Sequence, residues 1–192
     1  MKKKFQKLYP LLLFIFIVSC EGNKNPCNLS KEVLKDIDRI DSMFKTHEVK
    51  YTNFLKNNFK EPSIFNYDCE TYRFILSDSW YGEKVYRIEN RGNKYKAIVK
   101  VFDRHDTAGK FKEFYISKDV WNNITDSLKL TNFWIYPNPI DRRILLDGSY
   151  WSLEGYKPIK DKCTLKNYHC VHRQSPSDKQ FISMCKLLYK LK

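Results

Sequence analysis

Glycine and proline are scarce in this chain, six and seven among 192 residues, which excludes collagen-like and low-complexity classes. No segment repeats at a period of about 20–50 residues, so solenoids and propellers are excluded too. The apolar run from Leu11 to Val18 falls far short of the roughly 20 residues that a membrane-spanning helix needs. Also missing are the Gly-x-Ser-x-Gly elbow, the Walker loop, the dinucleotide fingerprint and the His-Glu-x-x-His zinc helix. Acidic residues are outnumbered, 22 against 35 basic, for a net charge of +13. Aromatics are what the chain has in plenty: 13 Phe, 13 Tyr and 4 Trp. They supply a core and argue against disorder. The length fits one ordinary domain.

The N-terminus reads as an address. Lys2, Lys3, Lys4 and Lys7 precede the short apolar run, the order of a secretory signal. Ile17-Val18-Ser19-Cys20 resembles the bacterial lipobox, in which a small residue precedes a cysteine that is diacylated and becomes the new N-terminus. The expected organisation is a signal peptide over 1–19, a lipidated Cys20 and polar tether over 20–29, and a single domain over 30–192. Two acyl chains anchor stably, since each buried methylene contributes about 0.8 kcal/mol and one chain alone is marginal. Without the signal, 31 basic and 22 acidic residues remain, or +9. Glu21 alone is not an acidic run, so a lipid-anchored, periplasm-facing place in the bacterial cell envelope is expected.

Past the tether, Ser30 caps a helical pattern of Val33, Leu34, Ile37, Ile40 and Phe44 that fades after His47 and cannot pass Pro62. The period then changes to two. Strands are expected at Thr71 to Leu76, Val85 to Glu89, Tyr95 to Val101 and Phe111 to Ile116. Asn90-Arg91-Gly92-Asn93 marks a turn. In the third strand Lys94, Lys96 and Lys100 alternate with apolar residues, predicting one wet face. Ser117 caps a helix carrying Val120, Trp121, Ile124 and Leu128. Strands follow at Tyr150 to Tyr156 and Asn167 to Gln174. Ser177 and Gln180 have capping-box spacing ahead of a last helix with Phe181, Cys185, Leu188 and Leu191. Hairpin-length connections favour antiparallel pairing. The expected fold class is α+β: one domain, a mostly antiparallel sheet of about six strands, and helices on one face. Trp151 and Leu153 share a face of their strand and are expected in the core.

Asp147-Gly148-Ser149-Tyr150-Trp151-Ser152-Leu153-Glu154-Gly155, with Tyr168-His169, Arg173, Ser175-Pro176 and Cys185-Lys186-Leu187-Leu188, resembles a recurrent family of uncharacterised bacterial proteins, many of them secreted or lipid-anchored. Tyr72-Arg73-Phe74 and Phe133-Trp134 fit the same layout, so the resemblance spans residues 69–191. The chain departs from that pattern at Gln174, where an aromatic is usual, and in a longer loop from Pro158 to Lys166. The resemblance implies the fold and no activity.

Three groupings carry candidate chemistry. Cys163, His169, Cys170 and His172 are metal-ligand types without paired zinc spacing. In a strand, His169 points opposite to Cys170 and His172. No metal or other cofactor is expected. After lipidation Cys27, Cys69, Cys163, Cys170 and Cys185 remain, an odd number, so at least one is unpaired or intermolecular. Cys163 with Cys170 would close the last hairpin, and Cys185 on the apolar stripe reads as a buried thiol. Glu154, His169 and Arg173 supply an acid, a base and an anion clamp, or else a ligand or salt-bridge cluster on the solvent face of a hairpin, worth about 0.2–1 kcal/mol.

Charge concentrates at the C-terminus, where residues 156–192 hold nine basic and two acidic residues. Export argues against nucleic acid as a partner. Anionic lipid headgroups or polyanionic glycans fit instead, beside the membrane reached through the lipid. The leading functional expectation is a lipid-anchored, non-catalytic binding or structural module. The alternatives are a periplasmic enzyme using Glu154, His169 and Arg173, and an inhibitor or immunity-type lipoprotein marked by an exposed aromatic patch.

Overall fold

The period-two segments pair into one antiparallel sheet. A computed structural model describes residues 55–57, 59–65, 67–103, 109–138, 147–158 and 168–191. The strands are β1 (Glu70–Asp78), β2 (Gly82–Asn90), β3 (Tyr95–Phe102), β4 (Lys110–Ile116), β5 (Ser149–Tyr156) and β6 (Tyr168–Gln174). Their spatial order is β4-β3-β2-β1-β5-β6. Four strands run as a meander, helix α1 (Lys118–Leu130) crosses back, and β5 joins the free side of β1. Helix α2 (Lys179–Tyr189) closes the chain, giving a single α+β domain. The helix expected after Ser30 and residues 1–29 lie outside the described residues.

Local chemistry explains the joints. Gly92 (φ +59°) and Asn93 (φ +70°) hold the two left-handed positions of the β2–β3 turn, which is closed by the Arg91 N–H on the Lys94 carbonyl at 2.9 Å. Positive φ at both central residues matches the twist of the flanking strands. Ser117 caps α1 as expected, its side chain accepting from the Val120 N–H. The cap of α2 is Asp178 rather than Ser177: its carboxylate accepts from the N–H groups of Gln180 and Phe181. An ionised cap there also meets the positive end of the helix dipole, which a hydroxyl cannot match.

Both helices lie on one face. Trp121, Ile124 and Leu128 of α1 and Phe181, Met184, Cys185 and Leu188 of α2 pack on Tyr72, Phe74, Tyr86, Ile88, Ala97, Leu153 and Val171. Leu153 is fully buried, as expected. Trp151 is only half-buried, with Nε1 donating to Ser149 Oγ at 2.8 Å and its ring 5.2 Å from Phe74. It lies one pair nearer the sheet end than Leu153, so solvent reaches its rim.

The 3-10 turn Phe133–Ile135 sits directly over β5. A Cβ at Gly155 would lie 2.6 Å from the Phe133 ring and 3.1 Å from Tyr72, so the close approach requires glycine. Gly155→Ala is therefore predicted to destabilise the domain by about 1–3 kcal/mol in denaturant unfolding, by overpacking. A change under about 0.5 kcal/mol would show that Phe133 does not rest on this strand.

Candidate functional site

The second face of the sheet is dry at its centre, over β1 and β2. The described part of residues 55–68, here the strap, lies across it, with Leu55 and Phe59 packed on Ile75, Val85 and Phe102. Between strap and sheet lie six charged side chains, all at most 8% exposed: Glu61 of the strap, and Arg73, Arg87, Glu89, Lys100 and Glu154 of the sheet. The expectation of a solvated β3 face fails here: Ile98 and Lys100 are both buried. The alternation was read correctly, but a second covering layer excludes the water. Ile75, Val85 and Ile98, apolar and buried on this face, were its signal in the sequence, one not read there.

Register builds the cluster. Arg87, Arg73, Glu154 and Cys170 stand in one row across four strands, because Arg73 faces both Arg87 and Glu154 and Glu154 faces Cys170. Two neighbouring guanidiniums would repel, and Glu61 of the strap separates them electrically. Its Oε2 lies 3.0 Å from Arg87 Nε and 3.5 Å from Arg73 Nη1, and its Oε1 lies 2.6 Å from Lys100 Nζ. Neither oxygen has a well-directed hydrogen bond; charge proximity holds Glu61.

The strap backbone is held as well. Arg73 Nη1 donates to the Pro62 carbonyl at 2.7 Å, and Lys100 Nζ to those of Phe59 and Lys60 at 3.0 and 3.2 Å. Arg73 also grips Glu154 Oε2 through Nε and Nη2, both at 2.6 Å. Arg87 pairs with Glu89, which takes Tyr67 Oη at 3.0 Å and Arg91 Nε at 2.7 Å. Three cations thus face three carboxylates in a water-poor layer.

The three residues nominated together from the sequence are not brought together. Glu154 faces the strap, whereas His169 and Arg173 face the helices, in keeping with alternation along β6. His169 Nε2 meets the Tyr136 carbonyl at 3.2 Å and its ring lies 5.1 Å from Phe133. Arg173 donates to the Pro137 carbonyl at 2.6 Å and to Asn138 Oδ1 at 3.2 Å. Both pin the irregular chain around Pro137, whose carbonyls lack a ladder partner. Glu154 is likewise no solvent-face ion: it is 1% exposed.

Sequence reasoning put Cys170 and His172 on one side of the strand but did not read their thiol–imidazole contact. Cys170 and His172, two apart on the strap side of β6, bring Sγ within 3.0 Å of Nε2. Ser152 Oγ is 3.6 Å and Glu154 Oε1 3.9 Å from the same sulfur. His172 stacks on Tyr150, centroids 5.5 Å apart. A Cys–His nucleophile needs a lowered thiol pKa and access. Here burial, then the Glu154 charge, push the Cys170 thiol well above its ordinary value. Burial likewise pushes the Glu154 carboxyl up against the pull of Arg73. The i, i+2 spacing in a strand was the available signal for the pair.

Cys170 is a buried free thiol, as are Cys69 and Cys185. Cys27 and Cys163 lie outside the described residues, so the Cys163–Cys170 pairing finds no support in the free state of Cys170. Among the described residues no three His, Cys, Asp or Glu side chains converge as metal ligands. An open cleft of about 360 Å³ at one sheet end, lined by Asp78, Glu83, Phe102, Asp103 and Gln174 among others, includes none of Glu154, Cys170 and His172. Comparison with known protein families and with curated proteins finds no match.

Two predictions follow from the buried charges. Glu61→Gln should cost about 3–5 kcal/mol, since removing one partner strands a buried cation. Glu61→Gln with Lys100→Met should cost less than the two single changes added; strict additivity would show the pair uncoupled. Native protein should also resist alkylation of Cys170 at neutral pH and react only on unfolding, read by peptide mass spectrometry. Rapid native labelling would overturn the thiol's placement.

Proposed function

We propose that this protein is a lipid-anchored component of the bacterial cell envelope that acts by binding, without catalysis. The anchor reading rests on Lys2, Lys3, Lys4 and Lys7, the apolar run to Val18, and the Ser19-Cys20 step. One observation carries the non-catalytic half: Glu154, the carboxylate nominated for chemistry, is spent on Arg73 beneath the strap. A general acid or base must reach a substrate proton, and a carboxylate so enclosed does not. His169 and Arg173 serve the chain around Pro137 in the same way.

Exposed aromatics support the binding half over a purely structural one. Trp80 and Tyr81 stand out from the β1–β2 turn, and Phe111 and Tyr115 from β4. Such residues are the common anchors of protein contacts. The inhibitor-like alternative is a special case of the same reading. An anionic lipid or glycan surface remains the proposed neighbour of the basic C-terminal segment. Of its residues, Lys157 reaches Glu70 at 3.4 Å, while Lys186 and Lys190 are exposed on and just after α2; Lys160, Lys162 and Lys166 lie outside the described residues.

The deciding measurement is the mature N-terminus. Mass spectrometry should find residues 1–19 gone and Cys20 carrying at least two acyl chains, and Cys20→Ser should move the protein from membrane to soluble fractions. An intact Met1 on membrane-bound protein, or an unmodified Cys20, would refute the anchor.

A further inference from the structure

The two edges of the sheet are treated differently. At β6 the edge is met by another stretch of the chain: the His172 N–H donates to Asn138 Oδ1 at 2.9 Å, and Arg173 ties the neighbouring Pro137 carbonyl to the strand. At β4 nothing pairs with the outer edge among the described residues. An open edge offers alternate backbone N–H and C=O groups to any extended chain. β4 also exposes side chains that a merely blunted edge would not, with Phe111 63% and Tyr115 73% accessible.

The charge at this edge is one-sided. Glu113 is the strand's acid, and Lys96 already answers it at 2.5 Å. Lys110 and Lys112 are exposed on the helix side of β4, and Lys94 and Lys118 flank the strand. None of these four makes an ion pair among the described residues; Lys112 only lies over Phe114, 5.1 Å from its centroid. A second copy of this chain would bring the same lysines to the same edge and repel. We propose that β4 takes up an extended acidic segment of a partner protein as a seventh strand, by β-augmentation.

The pleat dictates the partner's pattern. Side chains opposite Lys110 and Lys112 lie on the helix side, and those opposite Phe111 and Tyr115 on the strap side. The complementary strand therefore alternates carboxylates with apolar residues, the first meeting the lysines and the second covering the two rings. Backbone hydrogen bonds supply affinity, and the alternation supplies selectivity. This inference takes the binding reading above and names the partner's chemistry.

The test uses the full chain in detergent and three end-capped peptides: alternating Glu and Val, alternating Lys and Val, and the Glu/Val peptide with Pro at alternate positions. Only the first should bind, more weakly as salt rises, and with slowed hydrogen exchange in β4 amides. Lys110→Glu with Lys112→Glu, and separately Phe111→Ser with Tyr115→Ser, should each weaken it about tenfold. These side chains are exposed, so the fold should survive; if a variant unfolds, the three-peptide comparison on the unaltered protein still decides. Equal binding of the Pro-containing or Lys/Val peptide would overturn the proposal, as would binding without β4 protection or no binding at millimolar peptide. Self-association lost in Tyr115→Ser, without peptide binding, would assign the edge to a second copy and also overturn it. The state of Cys20 and of the Cys170 thiol is read independently, so failure here leaves the anchor and the absence of catalysis to their own tests.

Discussion

The second face of the sheet depends on one carboxylate. Arg73 and Arg87 occupy facing positions on adjacent central strands, an arrangement that water would tolerate and a buried layer would not. Glu61 lies within 3.5 Å of both and within 2.6 Å of Lys100. Its presence lets the strap cover Ile75 and Val85, and covering them in turn removes the water that would screen the charges. Apolar burial and charge pairing are therefore not separable here. Replacing such a buried set by apolar residues is often neutral or stabilising. Its effect on this fold is best seen as direction: it fixes where the strap lands, because only one placement puts Glu61 among the three cations.

The helix face and the strands along the chain were legible because their signals are local, whereas the pairing of β5 with β1 across about 80 residues was not. Period-two runs, the Gly92-Asn93 turn, the Ser117 cap and the stripes of both helices each speak within a few residues. The strap was not legible, because Glu61 precedes its cation partners by twelve to thirty-nine positions and shares no pattern with them. Lys100 looked like an ordinary solvated charge for the same reason: periodicity tells which face a residue occupies, never what lies above it. The candidate site suffered likewise. Alternation correctly separated His169 from Cys170 and His172, and it set Glu154 apart from Trp151 and Leu153. What it lacked was the β5–β6 register, which places Glu154 beside Cys170 and Ser152 beside His172.

The two buried layers also differ in what they ask of the polar groups within them. On the helix side the polar members, His169 and Arg173, serve backbone carbonyls around Pro137. On the strap side the polar members serve one another as well as the strap carbonyls of Phe59, Lys60 and Pro62. In both cases the groups that a motif search would nominate are consumed by the demand that buried polar atoms find partners. That demand is strongest where secondary structure fails, at Pro137 and along the irregular chain from Lys60 to Phe65.

The same accounting reaches the sheet's rims. At β6 the His172 N–H and the side chain of Arg173 donate to Asn138 and Pro137, so the chain that breaks secondary structure also meets the edge. Among the described residues β4 has no such cover, and its lysines resist only partners of like charge. Lysine on an edge strand ordinarily discourages any added strand, but here two exposed rings sit on the opposite side of the pleat and favour one. A strand that is repulsive to cations and attractive to apolar groups is a filter rather than a barrier. What passes it is a segment that carries acid on one side and hydrocarbon on the other.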